Sequence, residues 1–181
     1  MTRIIFNQRF LSFITITMAF FSCKTAELPT VPEVDLDSYA GKWHEIARLP
    51  ASFQNGCSCT TAEYALREGY VEVLNRCYDT NSFAWRQSKG KAKSVKGSNN
   101  SRLKVTFFWP FYGDYYIIAL DKGYQYAMVG TPSRKYLWIL SREKNMDQTV
   151  LQDLVRQANE LGFDTEKLIF NEYECDEHSN E

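Results

Sequence analysis

TTAEYALREGYVEVLNRCY, residues 60–78, holds the fold in miniature. Two β-prone runs, 60–66 and 71–78, flank Glu68-Gly69, a good hairpin turn. Strand side chains alternate between two faces, so Tyr64 and Leu66 share a face with Val71 and Val73 across the hairpin. The pattern recurs along the chain. In 82–94, Ala84, Arg86 and Ser88 alternate against Trp85 and Gln87. After the polar turn 98–101 comes LKVTFFW (103–109), a strong strand, and Pro110 and Gly113 break the pattern behind it. Residues 115–120, 124–129 and 136–142 are further β-prone runs, separated by Asp121-Lys122-Gly123 and Gly130-Thr131-Pro132. Short strands at this spacing predict an all-β sandwich or barrel. A closed barrel also leaves no edge strand, and about eight strands enclose room for one small ligand.

One segment has a different period. In 146–161 the apolar residues Met146, Val150, Leu151, Leu154, Val155, Ala158 and Leu161 fall three and four apart, an amphipathic helix, with Gly162 where a C-terminal glycine cap belongs. Its single apolar face needs an apolar surface, and a barrel wall provides one. Residues 168–173 read as a last short strand. The chain shows no internal repeat and no second domain.

Composition narrows the function. Apolar residues make up 44% of the 181 and aromatics 15%, ample for a core. The net charge of −1 gives no field suited to nucleic acid. The two histidines, His44 and His178, leave little for catalysis or metal binding. His44, beside Trp43, is expected at an exposed strand position facing away from it, and His178 lies in a polar tail, 176–181. No nucleophile elbow or phosphate loop occurs. Cys57-Ser58-Cys59 lacks a second ligand pair at zinc spacing. Neither cofactor nor metal is expected.

The N-terminus reads as a sorting signal. Arg3 and Arg9 precede the apolar run 10–21 (FLSFITITMAFF), too short to span a bilayer comfortably but suited to a signal peptide. It ends at Ser22-Cys23, which resembles a bacterial lipobox, with Phe20 where leucine is commoner. Residues 1–22 are then a lipoprotein signal, Cys23 is the lipidated first residue, 23–35 are a tether and 36–175 the domain. A plain secretory signal is the alternative. Removal of 1–22 takes two of the 21 basic residues and none of the 22 acidic ones, leaving a net charge of −3. It also leaves Cys57, Cys59, Cys77 and Cys175 as an even set in an oxidising compartment.

The ordered motifs resemble the lipocalin family. Gly41-Lys42-Trp43, preceded by Asp37 and Tyr39, is similar to its G-x-W signature. Asp121, Gly123 and Tyr124, then Tyr126-Ala127, resemble its second block. Residues 136–142 (YLWILSR) resemble its third. The similarity is closest to bacterial outer-membrane and apolipoprotein D-like lipocalins, through 45–50 (EIARLP), Val71 to Arg76, 90–93 (GKAK) and 111–121, and it covers about 36–173. Cys77, where a small or polar residue is usual, and the cysteine-rich 57–59 depart from it.

The resemblance implies an eight-stranded antiparallel up-and-down barrel with a C-terminal helix. It implies binding, and transport or storage, of fatty acids, lysophospholipids or similar amphiphiles at the cell envelope, with an outer-membrane anchor. Arg142 would pack on Trp43 as a cation–π contact, closing the barrel near Gly41. Cys59 would pair with Cys175, leaving Cys57 with Cys77; Cys59 with Cys77, or a reactive thiol, stays open among the three connectivities. On 103–109, alternation points Leu103, Val105, Phe107 and Trp109 inward. With Tyr64, Val73, Tyr115, Ile117, Tyr126 and Trp138, Phe107 and Trp109 are the expected ligand contacts, and tyrosine hydroxyls near the mouth would orient a head group. Lys89, Lys91, Lys93, Lys96, Arg102 and Lys104 crowd one hairpin, either as a surface for anionic head groups or as a solvated face. A lipid-modifying or isomerising enzyme on the same barrel, and an envelope interaction protein with a filled barrel, are the competing readings. Oligomeric state and natural ligand are left open.

Overall fold

The computed structural model describes residues 27–171 and 173. The expected signal, the anchor Cys23, the first part of the tether, Cys175, the tail and His178 lie outside the described residues. Eight strands form the barrel: β1 (Gly41–Arg48), β2 (Cys57–Arg67), β3 (Tyr70–Asp79), β4 (Ala84–Ser94), β5 (Arg102–Phe108), β6 (Phe111–Leu120), β7 (Tyr126–Gly130) and β8 (Leu137–Ser141). Each pairs antiparallel with the next. β1 pairs with both β2 and β8, which closes the ring. A ninth strand, β9 (Ile169–Phe170), pairs with Ala47 and Arg48 of β1, above the stretch that β2 occupies. A one-turn helix, α1 (Leu36–Tyr39), precedes β1, and α2 (Gln148–Glu160) follows β8.

The hairpin of residues 60–78 forms in the expected register: Arg67 faces Tyr70 across Glu68-Gly69, and Tyr64 faces Val73. β6 begins at Phe111, earlier than the breakers suggested. Gly113 pairs opposite Val105 inside the strand, and only Pro110 stays in the turn.

Alternation sorts the apolar side chains into two cores. Trp43, Tyr64, Val71, Val73, Leu103, Ile117, Ala127, Val129 and Leu140 pack inside the barrel. Ile46, Ile118, Met128, Leu137 and Ile139 take the outer face, where Leu151, Leu154 and Ala158 of α2 and Phe163 cover them. α2 starts where the Asp147 carboxylate accepts from the Thr149 and Val150 amides. It ends in a Schellman turn: Gly162 adopts φ +86°, its N–H donates to Asn159 O, and Phe163 N–H donates to Ala158 O.

Candidate functional site

The floor of the barrel is assembled from the motif residues. Trp43 is fully buried and donates its indole N–H to Tyr39 O at 2.9 Å. The Arg142 guanidinium lies 3.9 Å from the centre of the Trp43 ring. It also donates to the carbonyls of Ser38, Tyr39, Ala40, Lys42 and Tyr124. Gly41 fits beneath it at φ +92°, a left-handed conformation that favours glycine. Asp121 organises the neighbouring turn, accepting from the amides of Gly123, Gln125 and Tyr126. Three motif blocks far apart in sequence therefore meet at one end.

Above this floor the interior is hollow rather than a filled core. A cavity of about 910 Å³ opens at the other end, where the β1–β2, β3–β4, β5–β6 and β7–β8 connections gather. Tyr64, Val73, Phe107, Tyr115 and Trp138 of the expected set line it, as does Val105. The other three expected contacts sit elsewhere. Ile117 is fully buried in the packed inner layer, two residues further down β6 than Tyr115. Tyr126 packs on the outer cluster, because Ala127 and Val129 take the inward positions of β7. Trp109 lies just past the end of β5, at the hairpin tip, and is 81% exposed. Leu103 likewise packs in the inner layer and does not line the cavity.

Polar groups on the wall are held in place. Glu45, buried, pairs with buried Arg48 at 3.1 Å and accepts from Gln54 Nε2 at 2.8 Å. Burial pushes the Glu45 carboxyl up, outweighing the Arg48 charge beside it. Trp138 donates its indole N–H to Gln54 Oε1 at 2.9 Å, so this cluster ties β1, the 3-10 turn Ser52–Gln54 and β8 together. Glu45 was legible from the alternation that turns Trp43 inward; Gln54, in a loop, carries no such signal. Deeper in, the Tyr115 hydroxyl bonds those of Tyr39 at 2.8 Å and Tyr64 at 2.7 Å. Tyr112 and Tyr136 line the cavity nearer the mouth, where such groups are expected, but this linked set of tyrosine hydroxyls lies at the floor. Register places it there: Tyr64 pairs opposite Gly41, and the Tyr39 ring lies tilted against Trp43, 5.0 Å between centres.

The rim is aromatic and bare. Phe53 between β1 and β2, Phe83 between β3 and β4, and Phe108, Trp109 and Phe111 at the β5–β6 tip are all mostly exposed. Arg86, paired with Asp79 at 3.2 Å, stands beside them and lines the cavity. Within the basic stretch, Lys89 pairs with Glu72, Lys104 with Asp114 and Arg102 with Glu27. The Cys57–Cys77 disulfide joins β2 to β3 beside the cavity. Cys59 is also disulfide-bonded, and the partner expected for it, Cys175, lies outside the described residues. His44 faces away from Trp43 as expected but is buried rather than exposed, because Tyr173 lies edge-on against it at 5.3 Å. Among the described residues, no three His, Cys, Asp or Glu side chains converge as a metal site.

Comparison with known proteins agrees with this architecture. Residues 34–173 match the model of the Lipocalin-like domain. The chain is 44% identical over 142 residues to an outer membrane lipoprotein Blc of Vibrio cholerae, covering 77% of this chain and 83% of that one. It is 39% identical over 171 residues to the outer membrane lipoprotein Blc of Escherichia coli, covering 90% and 97%. Insecticyanin from the tobacco hornworm Manduca sexta shares the fold, with a TM-score of 0.68 at 24% identity over 82% of this chain and 85% of that one. With its closed eight-stranded barrel, its Gly41–Trp43 and Arg142 floor, and these relatives, the chain belongs to the lipocalin family.

Proposed function

We propose that the protein binds fatty acids, lysophospholipids or similar amphiphiles in its barrel, and stores or carries them at the bacterial cell envelope. The observation that carries this reading is the open cavity of about 910 Å³, walled by Val73, Val105, Phe107, Trp138 and Leu140. Such a wall works by burial: each ligand methylene taken from water contributes about 0.8 kcal/mol. It selects for length and girth, while the polar head stays near the mouth beside Arg86. The bare aromatic rim meets a lipid surface, from which an acyl chain enters the barrel without crossing water. Aromatic side chains favour that interfacial region. Lipidated Cys23 would hold the protein on the periplasmic face of the outer membrane, in keeping with the relatives named outer membrane lipoproteins.

This reading is one of binding: His44 lies on the outer wall under Tyr173, and among the described residues the cavity wall carries no histidine. Native mass spectrometry of protein stripped of lipid and reloaded with a fatty acid or a lysophospholipid tests the reading. One bound amphiphile per chain is expected, and failure to bind either would overturn it. Cys23→Ser should move the protein from the membrane fraction to the soluble one; unchanged fractionation removes the anchor.

A further inference from the structure

Tyr39, Tyr64 and Tyr115 present three hydroxyls and therefore three protons. The two hydrogen bonds that join them use two. No other acceptor within the described chain takes the third. Its position follows from burial. Tyr39 is sealed beneath the floor and does not line the cavity. A proton pointing outward from Tyr39 would be a buried donor without a partner, which is costly. In the two remaining arrangements the unmatched proton belongs to Tyr64 or Tyr115, and both line the cavity. The floor therefore offers a hydrogen-bond donor into an otherwise apolar end of the pocket.

The charge at that depth decides what the donor takes. The cavity's charged lining groups are Glu45, Arg76, Arg86 and Asp114. Glu45 is held by Arg48 and Gln54, Arg86 by Asp79 and Asp114 by Lys104. Arg76 faces Thr61 and Gln87 in the register, well up β3 from Val73 and Tyr64, with its guanidinium over Trp85. Arg142, below the floor, already donates to five carbonyls. A carboxylate pressed against the tyrosines would lose its water and gain no free cation, which is far more costly than burying a neutral group. Burial also raises the pKa of all three phenols, so they remain neutral donors.

We propose that the floor is a second polar subsite, selecting an amphiphile whose far end carries an uncharged oxygen, a hydroxyl or keto group, hydrogen-bonded to Tyr115 or Tyr64. The ligand is then a hydroxy- or oxo-substituted acyl chain: head at the mouth, chain along the apolar wall, second oxygen on the tyrosines. This rests on the lipid-binding reading above and makes that reading more specific.

The test is a titration of full-length, detergent-solubilised, delipidated protein. The probes are terminally hydroxylated fatty acids of ten to eighteen carbons, the unsubstituted acids of the same lengths, and the corresponding diacids. At the length that reaches the floor, the hydroxy acid should bind about fivefold tighter than its plain counterpart, the gain of one net hydrogen bond. The diacid should bind worst. Tyr64→Phe combined with Tyr115→Phe removes both candidate donors and should bring the hydroxy acid and the plain acid of each length to equal affinity, a ratio read within the variant, because either single variant leaves the other hydroxyl free to donate. Equal binding of plain and hydroxylated chains at every length overturns the subsite and leaves lipid binding standing. A preference that survives in the double variant also overturns it, and a diacid as tight as the hydroxy acid overturns its neutral character. No binding of any probe overturns the lipid-binding reading as well.

Discussion

At the closed end of the barrel, Trp43 is fully buried, and Arg142 covers its ring while tying five backbone carbonyls together. At the open end, Phe108 and Trp109 are each 81% exposed, and the loops that carry them surround a hollow. The same alternating strands run between the two. One end uses its aromatic residues to remove apolar surface from water. The other leaves comparable surface in water, an arrangement that adds nothing to folding and is found where a protein meets something else. Tight packing and bare apolar surface are thus separated along the barrel axis, and mutations at the two ends should separate in the same way.

The largest effect belongs to the closed end. Trp43→Ala should cost about 3–5 kcal/mol, read as a fall in the urea midpoint, because it removes a fully buried ring and leaves a void under α1. A cost below about 1 kcal/mol would show that the floor does not hold the barrel together. Arg142→Lys should cost about 2 kcal/mol. An ammonium has three donors where five carbonyls wait, and it has no planar face to lay on the indole. Next comes the alkaline limit. Burial raises the Tyr64 phenol from an ordinary value of 10.0 to about 12. A group whose folded pKa is raised stabilises fully below its unfolded pKa and ceases to do so as pH climbs through its folded one. Unfolding free energy should therefore drop between pH 10 and about 12, by about 2 kcal/mol for Tyr64. Tyr64→Phe should flatten that drop in denaturation curves collected across the range.

Much of this division could be read from the chain. The hairpin of residues 60–78, the strand order and the 146–161 helix follow from periodicity, because each has one wet and one dry face. Sequence loses its grip where both faces are dry. On β7 the inward residues are Ala127 and Val129, while Tyr126 and Met128 are equally apolar because α2 covers them from outside. A strand buried on both sides has no alternation to betray its inner face, so Tyr126 reads as an inward side chain while it packs on the outer cluster. Ile117 does point into the barrel, but orientation does not report depth, and depth separates the cavity from the packed layer below it. The tyrosine cluster joins residues 76 and 51 positions apart, beyond any local pattern. His44 is covered by Tyr173, again from across the fold.

The smallest effect on folding should accompany the clearest effect on membranes. Phe108→Ser with Trp109→Ser alters two side chains that touch little, so the urea midpoint should hold to within about 0.5 kcal/mol. If the rim is a lipid-facing surface, the same pair should lower co-sedimentation with neutral phospholipid vesicles several-fold, using protein that carries Cys23→Ser so that no anchor masks the loss. Leu66→Ser is the matched control. Leu66 is only 36% exposed and lies next to the Glu68-Gly69 turn, at the closed end, so its loss should leave vesicle binding unchanged. Neutral vesicles are the proper probe because they offer the basic stretch no anionic head groups, so that binding reports on the aromatic rim. Vesicle binding that follows Leu66 as much as Phe108 and Trp109 would mean that lipid meets the barrel without regard to its axis. The exposed rings would then have to answer to a different partner.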